Sequence, residues 1–112
     1  MTGQGCFDYL VIVLTTEANS TIANILAKEI MKRKLAACIS LREVDSCFLW
    51  KGKIEQSNEV QLLIKTTQKQ LKDLIDAIES LHSYELPELL FWNVSASESY
   101  QKWVEDELSK PF

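Results

Sequence analysis

The 112-residue sequence is poor in the residue types on which most metal and catalytic sites depend. It has one histidine, His82, and three cysteines, Cys6, Cys38 and Cys47, with no Cys-x-x-Cys spacing. An odd number of scattered thiols fits neither a disulfide framework nor a structural zinc site. A Gly-rich phosphate loop, a nucleophile elbow and a helical histidine pair are also missing. These absences predict reduced cysteines, no enzyme activity and no required cofactor.

Positive charge and long hydrophobic runs are scarce as well. With 12 basic and 16 acidic residues the formal net charge is −4, whereas nucleic-acid binding depends on clustered Lys and Arg. The longest apolar runs, such as 10–14, are short, whereas a bilayer span needs about 20 residues and a signal-peptide core about 7–15. We therefore expect a cytoplasmic protein with no nucleic-acid partner and no membrane partner.

The rest of the composition is that of a globular domain. Apolar residues make up 46% and charged residues 25% of the chain, which are ordinary globular values. Domains cluster at about 100–150 residues, so one domain is the natural expectation for this length. We place that single domain at 7–112, after a flexible N-terminal tail at 1–6.

Hydrophobic periodicity predicts the element order β-α-β-β-α-β followed by a C-terminal helix. Strands are predicted at 7–14, 37–50, 54–66 and 89–94, and helices at about 22–34, 71–81 and 100–108. Thr67 with Gln70, and Ser95 with Glu98, have the spacing of capping boxes before the second and third helices. This order is typical of an α+β, ferredoxin-like βαββαβ fold with both crossover helices on one face of the sheet.

Basic residues cluster near the end of the first predicted helix. They are Lys28, Lys32, Arg33 and Lys34. Cations at this end of a helix oppose the partial negative charge of its dipole, which is the simpler interpretation of the cluster. A basic patch that binds a ligand is the alternative.

The two middle strands are predicted to form a long antiparallel ribbon that turns at Gly52. A ribbon of this length extends beyond what one small domain can cover. Its outer part includes Phe48 and Trp50, which would expose aromatic surface unless another subunit buries them. We therefore expect Phe48 and Trp50 to lie in an interface between subunits.

The segment after the second helix collects the side chains best suited to a metal ion. His82, Glu85 and Glu88 lie within seven residues of one another, and imidazole with carboxylate favours copper, zinc or nickel over magnesium. These three are our candidate metal ligands, with copper or zinc as the possible ion. The structural alternative is that His82 caps the helix, Glu85 is solvated, and Tyr84 and Pro87 hold the turn.

At this loop the sequence resembles the CutA family, whose members carry an H-x-Y-E-x-P-E segment, here at 82–88. Other segments resemble the family in the same order along the chain. They are 33–39 for its R-L-A-A-C-V segment, 50–54 for its W-x-G-x-I hairpin, 59–66 for its E-x-x-L-x-x-K-T strand and 100–103 for its Y-x-x-W. The resemblance covers about residues 8 to 108.

The resemblance implies a PII-like homotrimer in which the long hairpin reaches a neighbouring subunit, and this would bury Trp50. It also implies binding of divalent cations, copper especially, and a role in tolerance of them. Some bacterial members have a cysteine and a second histidine where this chain has Thr15 and Leu81. The rival function is a PII-like sensor that binds a small anionic ligand in the cleft between subunits, and the charge of that cleft would discriminate the two.

Overall fold

The computed structural model describes residues 9–111 and shows a four-stranded antiparallel sheet with three helices. The elements are β1 (Leu10–Glu17), α1 (Ser20–Lys32), β2 (Cys38–Trp50), β3 (Lys53–Thr67), α2 (Gln68–Leu81), β4 (Leu90–Val94) and α3 (Glu98–Ser109). The strand order is β2-β3-β1-β4, and every neighbouring pair is antiparallel. This confirms the predicted ferredoxin-like βαββαβ fold with its C-terminal helix.

The first predicted strand is displaced along the chain. We expected 7–14, but β1 runs from Leu10 to Glu17, and the tail predicted at 1–6 lies outside the described residues, as do the first two positions of that predicted strand. Thr15 to Glu17, which lie beyond the end of the predicted strand, continue the ladder, with Thr15 opposite Leu62. Thr15 and Glu17 can remain in this buried strand because residues of the 82–88 loop form hydrogen bonds with their side chains.

On one face of the sheet, helices cover the central part of β1 and the inner half of β3. Val11 and Val13 on β1, and Leu62 and Ile64 on β3, are each 0% exposed. They pack with the buried face of the two crossover helices, which consists of Ala23, Leu26, Ala27, Ile30, Leu74, Ala77 and Ile78. The helical spacing of these apolar residues is what allows both helices to bury a continuous stripe on the sheet.

The opposite face of the sheet is covered only at one end, where α3 brings Val104 into a fully buried position. Beyond that end an apolar surface remains, which we call the open apolar face. It consists of Ile12, Leu14, Leu63, Leu90 and Trp92. In the ladder Trp92 lies opposite Ile12, and both Leu90 and Leu63 lie opposite Leu14. Leu90 is 50% and Trp92 44% exposed.

The outer halves of β2 and β3, residues 44–59, extend away from the helices as a two-stranded ribbon, the hairpin arm. Its turn pairs Trp50 with Lys53 around Lys51 (φ 52°) and Gly52 (φ 79°), and two left-handed residues are what a tight I′ hairpin turn requires. The predicted turn at Gly52 is confirmed. The arm gives the described residues an extent of 53 Å along the longest axis, against 28 and 21 Å across.

Both predicted capping boxes need correction. Thr67 is the N-cap of α2, but its side chain makes no cap hydrogen bond to the backbone, and its hydroxyl contacts Gln70 Oε1 instead. For α3 the cap is Ser97 rather than Ser95, because Ser97 Oγ accepts the Tyr100 N–H at 3.2 Å. The chain leaves β4 at Val94 and remains extended up to Ser97, so the serine nearer to the strand cannot start the helix.

Candidate functional site

The end of β1 meets the 82–88 loop in a buried polar cluster centred on Glu17. This carboxylate is 0% exposed, and burial of a charge is costly unless hydrogen bonds replace water. Glu17 Oε2 accepts the Ser83 N–H at 3.0 Å, and Oε1 accepts both the Ser83 hydroxyl and the Ala18 N–H, the latter at 3.2 Å. Three donors therefore satisfy the carboxylate, and the two from Ser83 anchor the start of the loop to the strand end.

His82 lies in the same cluster with both ring nitrogens engaged. Its Nε2 is 2.6 Å from the Thr16 carbonyl oxygen, which can only accept, so Nε2 carries the proton and donates it. Its Nδ1 is 2.9 Å from the Tyr84 amide nitrogen, which can only donate, so Nδ1 provides the lone pair. The side chain is 0% exposed. A metal ion would reach this nitrogen only by displacing the Tyr84 amide.

Tyr84 joins the loop to the hairpin arm. Its hydroxyl donates to Glu59 Oε2 at 2.7 Å, and its ring centroid lies 5.0 Å from that of His82. Burial first, and then the hydrogen bond and the negative charge of Glu59, raise the pKa of Tyr84 above its ordinary value of 10.0. The neutral phenol is therefore the form that holds the loop against the arm.

Between the loop and the hairpin arm lies a cavity of about 820 Å³, the acidic cleft. Its ionisable lining consists of the carboxylates of Glu55, Glu59, Glu85 and Glu88, together with the phenol of Tyr84 and the thiol of Cys47. The rings of Phe48 and Trp50 line the arm side. Among the lining residues in the described part of the chain there is no lysine, arginine or histidine. The cleft is therefore negatively charged.

The three predicted metal ligands are not equally placed. Glu85 and Glu88 are exposed and line the cleft, whereas the His82 ring is buried beside Glu17. Across residues 9–111 no group of three or more His, Cys, Asp and Glu side chains is placed to hold a metal ion. The ligand set therefore stays a prediction, and so does the role of Phe48 in an interface.

Two residues that organise this site were missed by the sequence reasoning. Glu17 lies beyond the predicted strand at 7–14, although an acidic residue that closely follows an apolar strand can indicate a buried acceptor that needs donors. Glu59 was assigned only to a strand.

The end of β1 also contacts the last residue of the loop. The Thr15 hydroxyl donates a hydrogen bond to the Glu88 carbonyl at 2.6 Å, and the Thr16 hydroxyl contacts Glu88 Oε1 at 3.4 Å.

The fold and the cleft define the class of this molecule, a ferredoxin-like α+β protein with an acidic cleft between a loop and a long hairpin. Residues 11–107 match the family model described as CutA1 divalent ion tolerance protein. The chain belongs to this family of divalent-cation tolerance proteins, as the sequence motifs predict. No helix within residues 9–111 is long and apolar enough to cross a bilayer.

Individual relatives agree with this assignment. The divalent-cation tolerance protein CutA of Salmonella newport is 39% identical over 100 residues, covering 88% of this chain and 87% of the relative. The structure of CutA from Synechococcus elongatus PCC7942 is 36% identical with a TM-score of 0.88, covering 91% of this chain and 92% of that one. CutA1 from Pyrococcus horikoshii is 34% identical with a TM-score of 0.85, covering 89% and 99%.

A further solved structure bears on location. The protein from Archaeoglobus fulgidus is named a periplasmic divalent cation tolerance protein CutA, and it is 25% identical with a TM-score of 0.86, covering 89% of this chain and 99% of that one. The cytoplasmic location of the present chain stays a prediction. The expectations of no enzyme activity and no required cofactor also stay predictions.

Proposed function

We propose that this chain acts in divalent-cation tolerance as a homotrimer that binds copper or zinc at the acidic cleft. The observation that supports this proposal is the charge of the cleft. Four carboxylates line it without a lysine, arginine or histidine among its described lining residues, so a cation is attracted there. The same charge repels a small anion from this cleft, so the rival PII-like sensor would need a different site, between subunits.

Glu85 and Glu88 are the first ligands in this proposal because both carboxylates are exposed to the cleft. Glu85 makes no ion pair or side-chain hydrogen bond to any described residue. His82 joins them only if Nδ1 releases the Tyr84 amide. Thr15 provides no thiolate, so the set is small, and we expect modest affinity for copper(II) or zinc unless a neighbouring subunit adds ligands.

The homotrimer is supported by apolar surface that one chain leaves uncovered. The open apolar face exposes Leu90 and Trp92, and the hairpin arm exposes Phe48 at 41% and Trp50 at 46%. Extended apolar surface of this kind marks an interface. Because the arm and the open face are different surfaces, a contact between them is heterologous, and such contacts close into a ring when the rotation permits it.

A metal titration tests the cation-binding proposal. Copper(II), zinc and a nucleotide panel are added to wild type, Glu85→Gln/Glu88→Gln, and Glu79→Gln/Asp73→Gln, a control that removes two exposed carboxylates of α2 outside the cleft. Calorimetry and native mass spectrometry should show metal binding that the cleft variant weakens by about tenfold or more. The α2 control should bind like wild type.

The pH dependence gives a second readout. If an imidazole is among the ligands, binding should weaken between about pH 7.5 and about pH 5.5, because it must be deprotonated to bind a metal, whereas carboxylates stay ionised over this range. His82→Gln reports whether the imidazole takes part. Nucleotide binding without metal binding, or identical metal affinity in wild type and the cleft variant, would overturn the proposal.

A further inference from the structure

A second cavity, of about 490 Å³, lies between α1 and α3, and we call it the α1–α3 groove. Its apolar lining includes Met31, Ala37, Ile39, Trp103 and Leu108. Met31 is 37% and Trp103 43% exposed although both are large apolar side chains. Small-ligand and peptide sites have volumes of about 300–1,000 Å³ and are mostly apolar with a few polar groups. The groove is distinct from the acidic cleft, with which it shares no lining residue.

The edge of the groove is positively charged on its α1 side. Lys28 and Lys32 both line it, one helical turn apart. Neither lysine makes an ion pair or a side-chain hydrogen bond to any residue within 9–111, whereas their neighbour Arg33 is paired with Glu29 at 2.7 Å. The helix dipole favours cations here, and both ammonium groups are exposed beside apolar side chains, where a ligand can reach them.

The groove is held in shape by a contact between its two helices. Lys34, in a left-handed conformation just after α1 (φ 57°), places Nζ 3.0 Å from the Glu107 carbonyl oxygen and 2.6 Å from that of Lys110. This ammonium group satisfies carbonyls at the end of α3. The Glu107 carboxylate, which also faces the groove, is paired with Lys110 at 2.9 Å. The remaining unpaired charge at the edge is therefore that of Lys28 and Lys32.

We propose that the α1–α3 groove binds an acidic amphipathic segment of a partner protein. Its carboxylates pair with Lys28 and Lys32, and an apolar side chain packs against Met31 and Trp103. A small inorganic anion would leave the apolar lining uncovered, and a purely apolar segment would form no ion pair with the two exposed ammonium groups. Charge complementarity favours an acidic segment. Although the net charge of this chain is negative, the edge of the groove at Lys28 and Lys32 is positively charged.

Fluorescence anisotropy with a labelled synthetic peptide tests the proposal. The peptide has Leu and Phe at helical spacing and Glu elsewhere, and its control has Gln in place of every Glu. Lys28→Gln/Lys32→Gln is compared with Lys69→Gln/Lys72→Gln, which removes the same charge from α2. We expect the groove variant to weaken binding by about tenfold, as two partly exposed ion pairs would. The α2 variant should stay within about twofold of wild type.

The apolar part is tested with Met31→Gln and Trp103→Ala, each verified as folded by circular dichroism. Both should weaken binding even at high salt, where the effect of the lysines is screened. The proposal fails if wild type does not bind the acidic peptide at about 1 mM, which corresponds to very weak association, or if the Gln peptide binds equally well. Full competition by inorganic phosphate would indicate a small-anion site and overturn it. A changed oligomeric mass of the Lys28→Gln/Lys32→Gln variant would indicate an interface between copies and would also overturn it.

Discussion

Strand β3 contains two regions that differ in burial although both include large aliphatic residues. In the inner half, Leu62 and Ile64 are 0% exposed beneath the helices, and buried and half-buried positions alternate from Glu59 to Thr67. In the outer half, Ile54 is 75% exposed, and every residue from 53 to 58 is exposed. The comparison shows that one chain completes the core of the sheet but leaves the side chains of the hairpin arm exposed.

The two regions are continuous through the β2–β3 ladder, and polar contacts attach the 82–88 loop to both of them. The 82–88 loop is anchored to the covered region through Glu17 and to the arm through the bond between Tyr84 and Glu59. The β2–β3 ladder sets the direction of the arm, and the Tyr84–Glu59 hydrogen bond, with which water can compete, holds the loop against it. Because the acidic cleft lies between loop and arm, its shape depends on the same bond.

The largest effect on stability is expected from Leu62→Ala in the covered region. Removing a fully buried leucine side chain leaves a cavity and costs about 2–5 kcal/mol of the free energy of unfolding. Urea denaturation measures the loss. The matched control is Ile25→Ala on α1, where the side chain is 65% exposed, so its effect should stay within about 0.5 kcal/mol. Equal losses at both positions would contradict the contrast between the regions.

The second largest effect is expected from Trp50→Ala in the hairpin arm. It should lower the stability of the trimer and leave the fold of each chain unchanged. Trp50→Ala should weaken the proposed trimer by about 2 kcal/mol or more, as is typical of a buried aromatic at the centre of an interface. Light scattering over a dilution series measures the mass, and circular dichroism reports the secondary structure. If wild type is a monomer at micromolar concentration, the proposed homotrimer is wrong. If the variant remains a trimer with unchanged stability, Trp50 does not lie in the interface.

A smaller effect is expected for Tyr84→Phe, which removes the bond between loop and arm. The loss should be about 1 kcal/mol, since Tyr84 and Glu59 are only partly buried and water screens their interaction. The folded-state pKa of Tyr84 is raised above 10.0, so its contribution is fully present below the unfolded pKa and is lost as pH rises through the folded pKa. The difference in stability between wild type and variant should be constant up to about pH 9.5 and shrink above about pH 10.

Denaturation at several pH values measures this difference for Tyr84→Phe. Tyr9→Phe is the control, because Tyr9 is 46% exposed and has no hydrogen bond through its hydroxyl within the described chain. A difference that grows with pH, or one that Tyr9→Phe reproduces, would mean that the phenol of Tyr84 does not hold the loop.

The smallest effect is expected at the turn of the arm. A Cβ at Gly52 would meet no atom within 4 Å, so Gly52→Ala is limited only by its φ of 79°. The backbone strain should cost about 1 kcal/mol. Gly52→Asn should cost less, because asparagine tolerates left-handed conformations. Thermal unfolding compares the two variants, and equal midpoints would show that the turn relaxes when it is substituted.

The sequence by itself determined the order of the elements, the faces of the helices and the turn at Gly52. These features depend on local periods, about 3.6 residues for a helix and 2 for a strand, and on the backbone freedom of glycine. The motifs at 50–54 and 82–88 were also sufficient to predict the family. None of these inferences requires knowledge of which distant residues meet.

The tertiary structure decided the features that depend on distant contacts. Glu17 and Ser83, or Glu59 and Tyr84, meet only because β1, β3 and the loop are folded together. For the same reason the sequence placed His82 among free metal ligands, whereas the folded chain engages both of its ring nitrogens with backbone groups of Thr16 and Tyr84. Local pattern determines which side chains are available, but hydrogen bonds between segments distant in sequence determine which lone pairs remain free.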